Sequence, residues 1–149
     1  MLNVRKVLYP TDFSACARSA LDDAIFWAQE FDAELHMLHA VVLHQADPGN
    51  PDKQFPGELD LMQSLHEVAG SQLAHLAGLP ASTGIRIIQQ TQPGYSAAEV
   101  VLDHAQEIDA DLIVMGTHGR RGMRRLVLGS DAEQIVRQAD VPVLLLHGR

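Results

Sequence analysis

The feature that most limits what this chain can fold into is an alternation between two hydrophobic periods. Short apolar runs of strand type recur. Between them lie longer stretches whose apolar residues return every three or four positions. Residues 4–9 read as a first strand that stops at Pro10. Ala17, Ala20, Leu21, Ala24, Ala28 and Phe31 follow at helical spacing, behind Thr11, Asp12 and Ser14 as candidate N-caps. Residues 34–42 form a second strand. A helix from about 58 to 79 has Met62, Leu65, Ala69, Leu73 and Leu76 as its expected buried stripe. A third strand is expected at 85–90, and Ser96 with Glu99 makes a capping box for a helix reaching about Glu107. Residues 111–115 read as a strand buried on both faces. Ser130 with Glu133 makes another capping box, and residues 142–147 are the last strand.

The order βαβαβαβαβ predicts an α/β fold: a doubly wound parallel sheet, helices on both faces, right-handed crossovers. The 149 residues suit one domain with one core, spanning 1–149 without a linker or internal repeat. Residues 45–57, rich in Pro, Gly, Asp and Asn, are the one candidate for an inserted loop, either a lid or a plain connection.

In open parallel sheets, ligands bind beyond the carboxyl ends of the strands, where the strand order reverses. Two segments at such ends stand out. One runs from Tyr9 through Pro10, Thr11, Asp12 and Phe13 to Ser14. The other starts at Met115 and continues through Gly116, Thr117, His118 and Gly119 to Gly129 and Ser130. The second holds Gly116, Gly119, Gly122 and Gly129 and leads into a helix. Glycines let the backbone approach an anion, and a helix N-terminus offers free N–H groups with partial positive charge. Arg120, Arg121, Arg124 and Arg125 put four of the chain's 11 Lys and Arg residues into this one loop. In a chain of net charge −8 that concentration points to an anion; the alternative is a solvated connection. His118 between glycines is a candidate phosphate donor. Asp12 either caps the first helix or accepts hydrogen bonds from a ribose or an adenine amino group.

The spacing Gly116-x2-Gly119-x9-Gly129-Ser130 resembles the nucleotide-binding motif of the ATP-binding universal stress proteins. The Tyr9–Ser14 segment, Leu38-His39-Ala40 and Val141-Pro142-Val143-Leu144-Leu145 are similar to that family's first, second and last strands. The likeness runs from about residue 4 to 147. It implies a Rossmann-like sheet of five strands in the order 3-2-1-4-5, with strands 1 and 4 side by side. It implies that Pro10, Thr11 and Asp12 hold the adenosine end and that Ala40 lies along the adenine. Met115, Gly116, His118, Gly119 and Arg120 would line ribose and phosphates. Gly129, Ser130, Asp131 and Ala132 would form the phosphate-binding turn. Two positions depart from the family pattern: Ala132 replaces a common hydroxyl residue, and Asp131 a common apolar one. A carboxylate there disfavours a triphosphate more than a monophosphate. The ligand implied is ATP or AMP, with ADP a further candidate and Mg2+ accompanying ATP.

Other functions fit less well. There is no Gly-x4-Gly-Lys-Ser/Thr loop and no evident carboxylate pair for magnesium, so a regulatory binding module is expected rather than an enzyme. A slow ATPase or adenylate-handling enzyme, and a scaffold without nucleotide, are the alternatives. The acidic balance opposes nucleic acid or an anionic membrane as partner. His36 and His39 in one strand point to opposite faces, so they do not share a metal ion. The apolar last strand, Val143–Leu146, would sit at a sheet edge and pair with its own copy in a homodimer. A protein partner is expected but not identified. The single cysteine, Cys16, reads as a small packed residue, and the lack of disulfide potential fits a reducing compartment. With no secretory leader and no run of about 20 apolar residues, the chain is expected to be cytoplasmic.

Overall fold

The computed structural model describes residues 3–43, 58–78, 83–117 and 128–147. The elements alternate as the periodicity predicts: β1 (Lys6–Pro10), α1 (Ala15–Glu30), β2 (Glu34–Val42), α2 (Glu58–Gly78), β3 (Ile87–Gly94), α3 (Ala97–Glu107), β4 (Leu112–Gly116), α4 (Ser130–Gln138) and β5 (Val143–Leu146). The five strands form one parallel sheet in the order β3-β2-β1-β4-β5.

Each face of the sheet has its own core. On one face Val7, Tyr9, Leu35, Met37, Leu112 and Val114 meet Ala20, Leu21, Ala24 and Ala28 of α1 and Leu73 and Leu76 of α2. On the other, Leu8, Leu38, Ile113 and Met115 meet Ala98, Val101 and Ala105 of α3 and Ala132 and Ile135 of α4. The alanines of α1 explain why it lies close to the central strands: small side chains let a helix backbone approach the sheet. β4 is buried along its whole length, as an interior parallel strand must be.

Three expectations needed correction. The third strand starts at Ile87, not 85, and runs on to Gly94 because β2 offers pairing partners that far, Val42 to Gly94. Leu65 of α2 is 44 % exposed rather than buried. His66 takes the sheet-facing position instead, its Nδ1 3.0 Å from the Thr91 hydroxyl. Finally, Ser130 does not cap α4. The N-cap is Gly129, without a side-chain hydrogen bond, and Ser130 is the first helical residue. The expected capping boxes differ in outcome for a local reason. Ser96 has extended backbone and accepts from the Glu99 N–H at 3.3 Å, whereas Ser130 is already helical and its hydroxyl cannot turn back to the first turn.

Among the described residues no helix is long and apolar enough to cross a membrane. Residues 45–57 lie outside the described residues, as do His118, Gly119 and the four arginines of the glycine-rich loop.

Candidate functional site

The two central strands pair at Val7–Leu112 and Leu8–Ile113. Beyond that, each runs against its outer neighbour, β1 to Pro10–Leu38 and β4 to Gly116–Leu146. The strand order reverses between them, and the carboxyl ends of such a strand pair are where open parallel sheets form their ligand crevice.

The β1 side of this crevice is braced from within. The Thr11 N–H donates to the Leu38 carbonyl at 2.8 Å, and the Phe13 N–H donates to Thr11 Oγ1 at 3.0 Å. Asp12 Oδ1 accepts from the Ser14 N–H at 2.9 Å, and Ser14 Oγ accepts from the Ala17 N–H at 3.1 Å. Ser14 is thus the cap of α1, and Asp12 shapes the turn before it. Below the turn, the Tyr9 hydroxyl donates to the Ala17 carbonyl at 2.6 Å. Burial pushes the Tyr9 phenol up to about 12, so it stays a donor through the neutral range.

Phe13 and His39 complete the brace; both lie in segments the sequence singled out, but their contact with each other was not foreseen. Phe13 has φ 63, a left-handed conformation that a bulky residue seldom takes. Its ring stacks on His39 at 4.5 Å between centroids, and His39 Nδ1–H donates to the Thr11 carbonyl at 2.8 Å. The left-handed turn aims Phe13 at the α1–α2 face. Asp, Asn or Gly would have signalled such a turn; Phe does not.

The β4 side is built differently. At Gly116 an added Cβ would stand 2.9 Å from the Cys16 carbonyl oxygen and 2.9 Å from Cys16 Sγ. Only glycine lets β4 pass so close to the first turn of α1. Cys16 itself is half-buried there. Thr117 is buried, and its N–H donates to the Leu146 carbonyl at 3.0 Å. Its own carbonyl accepts from the Gly129 N–H at 3.0 Å. That bond brings the start of α4 back to the mouth of the crevice.

Of the residues singled out from the sequence, Pro10, Thr11 and Asp12 lie on one lip, and Met115 and Gly116 on the other, with Gly129, Ser130 and Asp131 at the α4 end. Ala40 sits near the end of β2, half-buried against the second core. Ala132 contributes its methyl to that core, leaving only its backbone toward the turn. Ser130 and Asp131 are exposed. Among the described residues no side chain caps α4, and the first N–H groups of a helix are donors suited to an anion.

The model of the universal stress protein family matches residues 3–147. The chain belongs to the universal stress protein family. It is 34 % identical to universal stress protein MJ0531 of Methanocaldococcus jannaschii over 145 residues, which is 95 % of this chain and 81 % of that protein. The solved structure of MJ0577 superposes with a TM-score of 0.81 at 25 % identity, covering 99 % of this chain and 98 % of the other. A universal stress protein solved in complex with cAMP shares the fold, with a TM-score of 0.70 at 22 % identity and 99 % of each chain covered. Among universal stress proteins, then, this member has its crevice lined as described, with the Phe13–His39 brace on one lip and the Gly116–Cys16 contact on the other.

Proposed function

We propose that this universal stress protein is an adenine-nucleotide-binding regulatory module that works as a homodimer. The observation that carries the reading is the α4 N-terminus, uncapped by any side chain among the described residues and tethered to the crevice through Gly129 and Thr117. Such a terminus offers several N–H donors and a partial positive charge to a phosphate. Asp12 on the opposite lip is the acceptor suited to ribose or adenine. The cAMP complex supports this choice of ligand, as does a relative from Archaeoglobus fulgidus solved with dAMP. The ligand is AMP, ADP or ATP, with Mg2+ alongside ATP.

Asp131 and Glu133 make the first turn of α4 acidic. Their charges oppose a long polyphosphate more than a single phosphate, so AMP and ADP should compete well against ATP. The dimer forms through β5, whose four apolar residues are only half-buried in the single chain. The role is to bind and signal rather than to turn nucleotide over, and the chain works in the cytoplasm. A protein partner reads out the bound state.

Thermal unfolding with and without millimolar AMP, ADP, ATP and GTP tests this, repeated on Gly129→Glu. A ligand present at 100 times its dissociation constant adds about 2.7 kcal/mol. Adenine nucleotides should raise the midpoint of the native protein and leave the variant unmoved, because the new carboxylate meets the N–H groups that hold phosphate. A native protein that no nucleotide stabilises would overturn the reading in favour of a scaffold. Sustained ATP hydrolysis, lost in Gly129→Glu, would overturn the non-enzymatic part of it.

A further inference from the structure

At the opposite end of the sheet from the crevice, two histidines are buried against each other's elements. His36 is on β2 and His104 on the last turn of α3; they are 7 % and 2 % exposed. Both lie on the α3 face. His36 neighbours Leu8 across the sheet and lies two residues from Leu38, and both leucines belong to that core. α3 packs directly on β2, which places both rings in the layer between helix and sheet.

We propose that His36 and His104 form an acid-sensitive latch that holds the base of α3 on the sheet at neutral pH and releases it in mild acid.

The neighbouring charges explain why. His36 Nε2–H donates to Glu34 Oε2 at 3.3 Å, and Glu34 also receives Arg86 Nη1 at 2.6 Å. From β1, the Lys6 ammonium reaches the Ile108 carbonyl at 2.7 Å, at the end of α3. From α3 itself, Glu107 Oε2 stands 3.4 Å from His104 Nδ1, yet among the described residues that buried nitrogen makes no hydrogen bond. A proton on His36 must go inside the sheet face, near Lys6 and His104. Burial disfavours it, as do charges on His104 and Lys6, while Glu34 favours it. The low-energy way to hold that proton is to lift the last turn of α3 and admit water.

The sign follows from linkage. Burial holds His36 below its ordinary value of 6.5. The open or unfolded form thus binds more protons than the closed one below that pH. Closure is fully favoured above the ordinary histidine value and is lost as pH falls through the folded one, by up to about tenfold per pH unit for one proton. Release would reach the other end of the molecule because α3 packs on α4, and α4 starts at Gly129. That last step rests on the proposed nucleotide role; the latch does not.

Amide hydrogen exchange along α3, followed between pH 7 and 5 and corrected for intrinsic rates, tests the latch. The amides of the last turn should lose protection by about tenfold per pH unit below 6.5. His36→Gln, which keeps an amide donor for Glu34 but cannot be protonated, should flatten that slope. A slope retained in His36→Gln, or absent in the native protein, overturns the proposal. Should His36→Gln fail to fold, the native His36 ring can be titrated by NMR. Its midpoint should lie below 6.5 and rise in His104→Gln; a midpoint that ignores His104→Gln overturns the proposal. AMP affinity should fall more between pH 7 and 5.5 in the native protein than in His36→Gln. If AMP binds at neither pH, the nucleotide reading fails, and the exchange result still judges the latch.

Discussion

Among the described residues the sheet ends in two edges, β3 and β5, and they are built on opposite plans. Both strands are parallel to their single neighbour, so alternate residues turn their backbone groups inward or outward. On β3 the even positions point inward: the Arg86 and Gly94 carbonyls accept from the Leu35 and Leu43 N–H groups at 2.9 and 2.8 Å. Gln89, Thr91 and Pro93 therefore face outward with their backbone. Gln89, Gln90 and Pro93 are exposed, and Pro93 has no N–H to offer a visiting strand. On β5 the even positions also point inward, since the Pro142 and Leu146 carbonyls accept from the Ile113 and Thr117 N–H groups, both at 3.0 Å. Val143 and Leu145 are left facing outward, with no proline and no polar residue among Val143, Leu144, Leu145 and Leu146. One edge carries its own protection, and the other is left to be covered. An apolar edge of this kind invites strand pairing, and a second copy across a two-fold axis satisfies it without continuing into a fibre.

The largest effect should come from giving β5 the device that β3 already has. Leu145→Pro removes an outward N–H and leaves the inward ladder to β4 intact. Leu145→Ala keeps that N–H while losing comparable packing against the second core. If β5 pairs with its copy, light scattering should show Leu145→Pro as a monomer, with dimer affinity reduced by on the order of 100-fold, a loss of about 3 kcal/mol. Leu145→Ala should remain largely dimeric. Equal weakening by both variants would mean that side chains, not strand pairing, hold the copies together, and the contrast between the two edges would lose its meaning.

A second, smaller test concerns the glycines that end the two sides of the sheet. Gly94 closes β3, and a Cβ there would collide with Val100 Cγ2. Gly116 closes β4 beside the last residue of β5, and a Cβ there would meet the backbone of Cys16 at 2.9 Å. Overpacking of this sort costs about 1–3 kcal/mol. Both Gly94→Ala and Gly116→Ala should lower the unfolding midpoint. Val100→Ala added to Gly94→Ala should recover much of the loss, because the obstacle is one side-chain methyl. Cys16→Ala added to Gly116→Ala should recover little, because the carbonyl oxygen remains. Full recovery in the second pair would show that the Cys16 thiol, rather than the helix backbone, sets how closely β4 approaches α1.

These contrasts also mark how far the sequence could be read. The nine elements and their order followed from periodicity, since strands buried on both faces and helices rich in alanine leave little alternative. The crevice lips were legible because Pro10 and Gly116 punctuate strand ends. The strand order itself rested on family likeness, because no local pattern says which strands become neighbours. Capping was only half legible. Ser96 and Ser130 head the same motif, but the chain enters α4 through Gly129, held by Thr117, and that bond is tertiary. Leu65 and His66 exchanged roles because the buried Ala69, Leu73 and Leu76 set the side of α2 that turns inward, and His66 falls in line with them, beside the hydroxyl of Thr91 on β3. Phe13, His39 and the His36–His104 pair needed three dimensions, as their partners lie on other elements.

The smallest effect belongs to an exposed ion pair at the start of the β3 edge. Arg86 Nη1 lies 2.6 Å from Glu34 Oε1, but the arginine side chain is 73 % exposed. Exposed pairs of this kind contribute about 0.2–1 kcal/mol. The Glu34 carboxyl is held below its usual range first by the hydrogen bond from His36 and only then by the Arg86 charge. Its contribution is present above the ordinary carboxylate value and is lost as pH falls through the lowered one. Arg86→Ala should therefore cost less than 1 kcal/mol at pH 7, by about the exposed-pair amount, shrink further at high salt, and vanish once Glu34 is protonated. His36→Leu, which removes the stronger of the two influences on Glu34, should shift the acid limb of the stability curve more than Arg86→Ala does. Urea unfolding of both variants between pH 3 and 7 separates them. A larger acid shift from Arg86→Ala would mean that the exposed cation, not the buried histidine, fixes the corner where β2 and β3 begin to pair.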